Sequence, residues 1–377
     1  MQRRKFLQRA ALGAAAVSTF SFCQSAEETQ QSDAETTPEA QRNPTDSTRK
    51  LGVALLGLGS YSRGQLAPAL ERTRYCELRG LVTGTPDKVP AWQAQYGVPD
   101  ANVYSYETLP TIRNNADLDV VYIVVPTGLH ARYAIAAAEA GKHVWCEKPM
   151  AMTVVECQEI IDACNANGVK LSIGYRMQHE PNTRTLIEYA TTKPYGEITG
   201  VRAEAGYCCL QNSAWRFDAE LGGGALYDMG VYAINALRYA TGMEPTEVIS
   251  ARSSTKRPEL FTEVDETTEF QLRFPNGLVG YGKTSVGEST NVLRVDCERG
   301  WYELSPMQQY TGVGGRTSDG KVFEPIEGKQ QTLQMDNDAL AILADRPVLV
   351  PGAEGLRDIA IVNAIREAAR TGRAVML

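Results

Sequence analysis

Leu51–Leu56 is an apolar run broken by one glycine, and Gly57-Leu58-Gly59 closes it. A strand with no polar face must be covered on both sides, which places it inside a parallel sheet flanked by helices. The following residues keep that rhythm. Gly64–Arg72 has a helical pattern, Glu77–Thr83 reads as a strand and Lys88–Tyr96 as a helix. Val120–Val125 is a continuous apolar strand, mostly β-branched, and His130–Ala140 is an alanine-rich helix closed by Gly141. Lys142–Cys146 (strand), Val154–Asn167 (helix) and Lys170–Ile173 (strand) complete the series. Strands alternating with helices define an α/β unit with right-handed crossovers.

The pattern changes after Gly174. Residues 197–207, 246–253, 267–274, 278–285 and 293–297 alternate or are rich in β-formers, and Trp301–Leu304 follows a turn. Phe274-Pro275-Asn276-Gly277 reads as a hairpin, with both Asn276 and Gly277 expected at positive φ. Gly224–Thr241, Asp336–Ala344 and Gly355–Thr371 read as helices. The expected fold is therefore α/β: an N-terminal Rossmann dinucleotide-binding domain plus a C-terminal α+β domain with a mixed, largely antiparallel sheet. The expected divisions are a signal at 1–26, a polar linker or arm at 27–49, the Rossmann domain at 50–174 and a substrate-binding and oligomerisation domain at 175–377.

The amino terminus carries Arg3-Arg4-Lys5 ahead of an apolar run from Ala10 to Phe22, too short to span a bilayer. An arginine pair before such a run is the pattern of twin-arginine export, implying a periplasmic or otherwise exported protein. Cys23 ends the run, and the protein would be membrane-attached only through a lipid on that cysteine. Net charge is −7, without the basic stripe that nucleic acid requires. The eight cysteines follow no zinc spacing. Most are expected as small core residues, and the vicinal Cys208-Cys209 pair is expected to carry no structural bridge.

Chemistry concentrates at two turns. Gly57-Leu58-Gly59-Ser60-Tyr61-Ser62 fits a dinucleotide turn: the first glycine allows the bend and the second lets the backbone approach a pyrophosphate at the following helix. Gly57, Gly59, Ser60 and Tyr61 are the expected contacts. The second strand ends at Thr83 without the acid that accepts from an NAD ribose; Thr83 and Lys88 suit a 2′-phosphate, favouring NADP over NAD. Pro126 and His130 follow the Val120–Val125 strand, on the expected nicotinamide-ribose side; His130 reads equally well as a plain helix-start residue. The second turn is Glu147-Lys148-Pro149, at the carboxyl end of Val144-Trp145-Cys146. A lysine there faces the same crevice and can take the proton of a hydroxyl undergoing oxidation. Tyr175 and Arg176 follow the last strand and are expected to grip the substrate. No metal site is expected.

These stretches, with Gly222-Gly223-Gly224-Ala225-Leu226-Tyr227-Asp228-Met229-Gly230-Val231-Tyr232 and Glu367–Arg373, resemble the Gfo/Idh/MocA oxidoreductase family, closest to its glucose–fructose oxidoreductase branch. The resemblance covers residues 50–377. It implies a catalytic Lys148, with Glu147 and Lys148 beside the cofactor. It also implies a second motif in which Asp228 and Tyr232 act on the substrate with Lys148. Tyrosine in place of the common histidine is the glucose–fructose variant and points to a phenol as proton relay. The implied activity is NADP-dependent oxidation of a cyclic aldose at C1 to a lactone, with a second sugar as hydride acceptor. The alternative is a nicotinamide-dependent glycosidase that oxidises its sugar transiently. A homo-oligomer, dimer or tetramer, is expected through the C-terminal sheet.

Overall fold

The computed structural model describes residues 49–208 and 214–377. The signal, residues 27–48 of the arm and Cys23 lie outside them, as does Cys209. Both sheets belong to one compact unit.

The first sheet contains β1 (Leu51–Leu56), β2 (Cys76–Val82), β3 (Val103–Tyr104), β4 (Val120–Ile123), β5 (His143–Cys146) and β6 (Leu171–Ile173). Its order is β3-β2-β1-β4-β5-β6, every pair parallel. This is the doubly wound dinucleotide order, with its switch point between β1 and β4. Every residue of β1 and β4 is buried, as their continuous apolar runs require. The flanking helices are α1 (Ala67–Leu70), α2 (Val89–Tyr96), α3 (His130–Glu139) and α4 (Val154–Ala166). A capping box starts α4: the Thr153 side chain accepts from the Glu156 N–H, and the Glu156 carboxylate accepts from the Thr153 N–H.

The second sheet joins β7 (Ile198–Gly206), β8 (Glu247–Ser254), β9 (Thr267–Arg273), β10 (Val279–Ser285), β11 (Thr290–Cys297), β12 (Gly300–Leu304), β13 (Gly315–Thr317), β14 (Val322–Phe323) and β15 (Val375–Met376). Their order is β14-β13-β12-β11-β7-β10-β9-β8-β15. Only the β7–β10 pair is parallel, so the sheet is mixed and largely antiparallel. Val201, Ala203 and Ala205 of β7 alternate onto one face and join a core with Ala233, Ile234 and Leu237 of α6 (Val231–Thr241). The β9–β10 hairpin forms where expected, but only Gly277 has positive φ. The turn closes with the Gly277 N–H donating to the Phe274 carbonyl, which leaves Asn276 in ordinary backbone space.

Three helices complete the chain: α5 (Pro181–Thr192), α7 (Gln330–Leu343) and α8 (Gly352–Thr371). Although α7 follows the second sheet in sequence, its Met335 and Ala339 are buried with Leu51, Val53 and Trp145 of the first. Cys76, Cys146, Cys157 and Cys164 are free and buried. Cys208 is disulfide-bonded, contrary to the expectation for that segment.

Candidate active site

A cleft of about 1250 Å³ opens beyond the carboxyl ends of β1, β4 and β5 and is walled on its far side by the second sheet. Gly57, at φ +101°, forms its floor. A Cβ there would stand 2.6 Å from the Val124 carbonyl oxygen, so β1 can turn this close to β4 only with glycine. Gly59 is the converse case. A Cβ there meets nothing within 4 Å, and the residue lines the cleft. The buried Ser62 hydroxyl donates to the Gly57 carbonyl and ties the turn to the helix it opens. Tight backbone packing at the first glycine and open space at the second are what a pyrophosphate needs here. The residues present therefore fit a dinucleotide.

Ser60, Tyr61, Thr83, Thr85 and Lys88 line the same end. The Lys88 ammonium donates to the Leu58 carbonyl, 3.1 Å away, bringing a cation to the edge of the glycine turn. Thr83 Oγ accepts from the Thr85 N–H. Among described residues lining the cleft, the carboxylates are Glu147 and Asp228, and neither follows β2.

At the other end Lys148 follows β5 on a turn whose Lys148–Pro149 peptide is cis. Lys148 Nζ donates to the Asp228 carbonyl at 2.7 Å, lies 3.9 Å from Asp228 Oδ1, and sits 4.6 Å from the centre of the Tyr232 ring. The sequence thus brings Lys148, Asp228 and Tyr232 together as expected. Asp228 lies in a π-helical turn, Leu226–Gly230, that runs into α6, where Tyr232 sits. Widened turns of this kind recur at functional sites. Asp228 Oδ2 accepts from the Tyr207 hydroxyl and the Arg216 Nε, each at 2.8 Å. Burial raises the Asp228 carboxyl. Lys148 and Arg216, with hydrogen bonds from Arg216 and Tyr207, outweigh that and hold it below the usual range, so it stays ionised. Burial and the Asp228 charge push the Tyr207 phenol the other way, keeping it a donor.

Three expected residues behave differently from their sequence reading. Tyr175 is a correction: it does not line the cleft but is buried in the core, because the 3₁₀ turn at Arg176–His179 follows directly and carries the chain inward. Arg176 does line the cleft, yet its guanidinium donates to the Gln308 and Gln309 carbonyls at 2.6 and 2.9 Å and to Gln330 Oε1. It holds the 305–311 loop, whose Tyr310 ring reaches within 5.8 Å of Tyr61 across the cleft. His130 starts α3 and also lines the cleft; its two ring nitrogens lie 2.8 Å from the Pro149 and Val125 carbonyls. It therefore links Pro126's strand end to the Lys148 turn. Glu147 is buried beneath that turn.

Sequence reasoning missed Tyr207, Arg216, Asn291, Gln308 and Tyr310, all of which line the cleft. They come from strand ends and irregular segments of the second sheet, where no local motif marks them.

A parallel sheet with a dinucleotide turn, a lysine over the cofactor cleft and a fixed carboxylate define a nicotinamide-dependent oxidoreductase. Residues 51–175 match the oxidoreductase family with NAD-binding Rossmann fold, and residues 183–303 match the GFO/IDH/MocA C-terminal domain. The chain belongs to the Gfo/Idh/MocA oxidoreductase family. It is similar to the aldose-aldose oxidoreductase of Caulobacter crescentus, solved in complex with glycerol: 38% identity, TM-score 0.83, covering 87% of this chain and all of that one. It is 28% identical to the NADP-dependent D-xylose 1-dehydrogenase of Haloarcula marismortui over 86% of this chain and 92% of that enzyme. The corresponding Haloferax volcanii enzyme is 27% identical over 87% of this chain and 98% of its own length. The relatives are sugar oxidoreductases, and this chain is an oxidoreductase of their family.

Proposed function

We propose that this protein uses tightly held NADP to oxidise a cyclic aldose at C1 to its lactone, and then reduces a second sugar in the same cleft. The carrying observation is the placement of Lys148 Nζ between the Asp228 main chain and the Tyr232 ring, with Asp228 fixed by Tyr207 and Arg216. Lys148 Nζ takes the anomeric hydroxyl proton, and the Tyr232 phenol shares it. Asp228, ionised, accepts from a ring hydroxyl and sets which face of the sugar meets the cofactor. The bound nicotinamide supplies reversible hydride acceptance. In the second half-reaction the open-chain carbonyl of another sugar takes up the hydride at carbon and the proton at oxygen. One aldose becomes a lactone and the other an alditol, with no net change in cofactor.

NADP is supported by Lys88 beside Leu58, by the missing acid at the β2 end and by the cofactor named for the xylose dehydrogenases. The Caulobacter relative, as an aldose-aldose oxidoreductase, supports a sugar at both ends of the transfer. The oligomer is assigned to the second sheet's other face, which carries Arg202, Glu204, Lys283 and Arg294. Export through the arginine pair is part of the same reading, because a folded route delivers the enzyme with its cofactor already loaded.

The test uses purified full-length protein with no added nucleotide and pairs of sugars. Lactone and alditol should form in equal amounts, and denaturation should release NADP rather than NAD. Turnover only with added soluble cofactor would leave an ordinary dehydrogenase.

A further inference from the structure

Three glutamines of α7 are fully buried, an unusual place for amides. Gln330, Gln331 and Gln334 fall on neighbouring positions of the helix, and each bonds a different residue of the surrounding structure. Gln330 Oε1 accepts from Arg176, and Gln331 Nε2 donates to the Tyr61 hydroxyl at 3.4 Å. Gln334 Nε2 donates to the Tyr122 hydroxyl at 3.0 Å. From there the chain of bonds continues. Tyr122 donates to Glu147 Oε1 at 2.8 Å, and Glu147 Oε2 accepts from the Lys148 backbone N–H at 3.2 Å. Tyr122 is sealed in β4, edge-on to Trp145 with ring centres 5.7 Å apart.

We infer that Tyr122 and Gln334 are positioning residues for the catalytic lysine, acting through Glu147 to fix the turn that carries Lys148. The inference rests on the reading of Lys148 as the proton acceptor. Neither residue touches the cleft, so neither is catalytic.

The physical reason lies in Glu147. Its carboxylate is buried under the turn and packed against Gly174: a Cβ on Gly174 would stand 2.8 Å from Glu147 Oε1. A carboxylate in such a place adopts one orientation only if donors fix it. Tyr122 is the side-chain donor to Oε1, and Gln334 sets the rotation of that phenol by occupying its acceptor side. Burial raises the Glu147 carboxyl, and the Tyr122 bond and Lys148 work against that rise. Burial and the Glu147 charge together keep the Tyr122 phenol protonated, and so a donor. Remove the phenol and Oε1 loses this donor. Glu147 then rotates or takes up a proton, and its hold on the Lys148 N–H slackens. A lysine displaced by a fraction of an ångström loses its approach to the hydroxyl, while the glycine turn, and nucleotide affinity with it, stays as it was.

The experiment is a double-mutant cycle with Tyr122→Phe and Gln334→Met, read by single-turnover oxidation of an aldose and by NADPH affinity, with Lys148→Ala in parallel. Tyr122→Phe keeps the ring and its packing, and should slow the chemical step ~10-fold or more while NADPH affinity stays within ~2-fold. Its acid limb in the pH–rate profile should move to higher pH, since the bond that lowers the Glu147 carboxyl is gone. Gln334→Met should slow the step less. The double variant should be no slower than Tyr122→Phe alone, because the amide acts only through the phenol. Should Tyr122→Phe fail to fold, Gln334→Met carries the test through its rate and its unshifted nucleotide affinity. Wild-type rates in both single variants, with Lys148→Ala inactive, overturn the positioning role and leave the lysine reading intact. Additive losses that track thermal stability overturn it too. An active Lys148→Ala variant would instead sink the proposed function.

Discussion

Lys148 is held by main chain more closely than by the facing carboxylate. Its ammonium donates to the Asp228 carbonyl at 2.7 Å, while the Asp228 carboxylate is taken up by Tyr207 and Arg216. In the proposed mechanism the two groups are thus divided, one for the proton and one for the sugar ring. Lys148→Ala should retain nucleotide binding and lose ~10²–10⁴-fold in the oxidation rate. Tyr232→Phe should lose less, because the ring over the lysine remains and only the relay hydroxyl goes. Steady-state rates set beside NADPH binding check both, and a Tyr232→Phe loss larger than that of Lys148→Ala would reverse the roles. Lys148, Gly57 and Gly59 were legible because each belongs to a turn whose chemistry is local. Arg216 and Tyr207 were not, since they reach Asp228 only through tertiary packing. Tyr175 was misread because its neighbour Arg176 does face the cleft, and the 3₁₀ turn separating their directions leaves no periodic trace.

At the scale of elements, the first sheet could be read almost strand for strand, because a strand buried on both faces must be continuously apolar. The short β3 carried too few residues to register. The sequence reading gave no helix at α5, although Glu180 caps it and Pro181 opens it, since its apolar stripe is thin. It placed the start of α7 at Asp336, six residues late. The first turns of α7 are glutamines and threonine, which read as solvent-facing, yet Gln330, Gln331 and Gln334 are buried. Buried polar residues are invisible to hydrophobic periodicity.

The same helix carries Asp338, fully buried, and burial pushes its carboxyl up to about 7 against the opposing pull of Ser172. Its unfolded value is ~3.9. A group raised on folding costs no stability below the unfolded value; the cost grows as pH rises from ~3.9 and is complete above about 7. Asp338→Asn should therefore melt with wild type near pH ~4 and above it near pH ~8. Parallel melting curves across that range would contradict this.

As a whole molecule, the protein places a dinucleotide turn from one sheet and polar residues from another on opposite walls of one cleft. Tyr310 reaches back toward Tyr61 from the loop that Arg176 anchors. That closure suits a cofactor kept through the cycle, and export of a folded, loaded enzyme would demand it. In the proposed function, Lys148 drives oxidation of an aldose by a cofactor the protein already holds. The most direct measurement is the near-ultraviolet absorbance of purified protein when one aldose is added alone. The reduced-nicotinamide band should rise in proportion to enzyme, without added nucleotide, and stay flat in Lys148→Ala. No band from wild type, or an equal band from Lys148→Ala, would contradict the account.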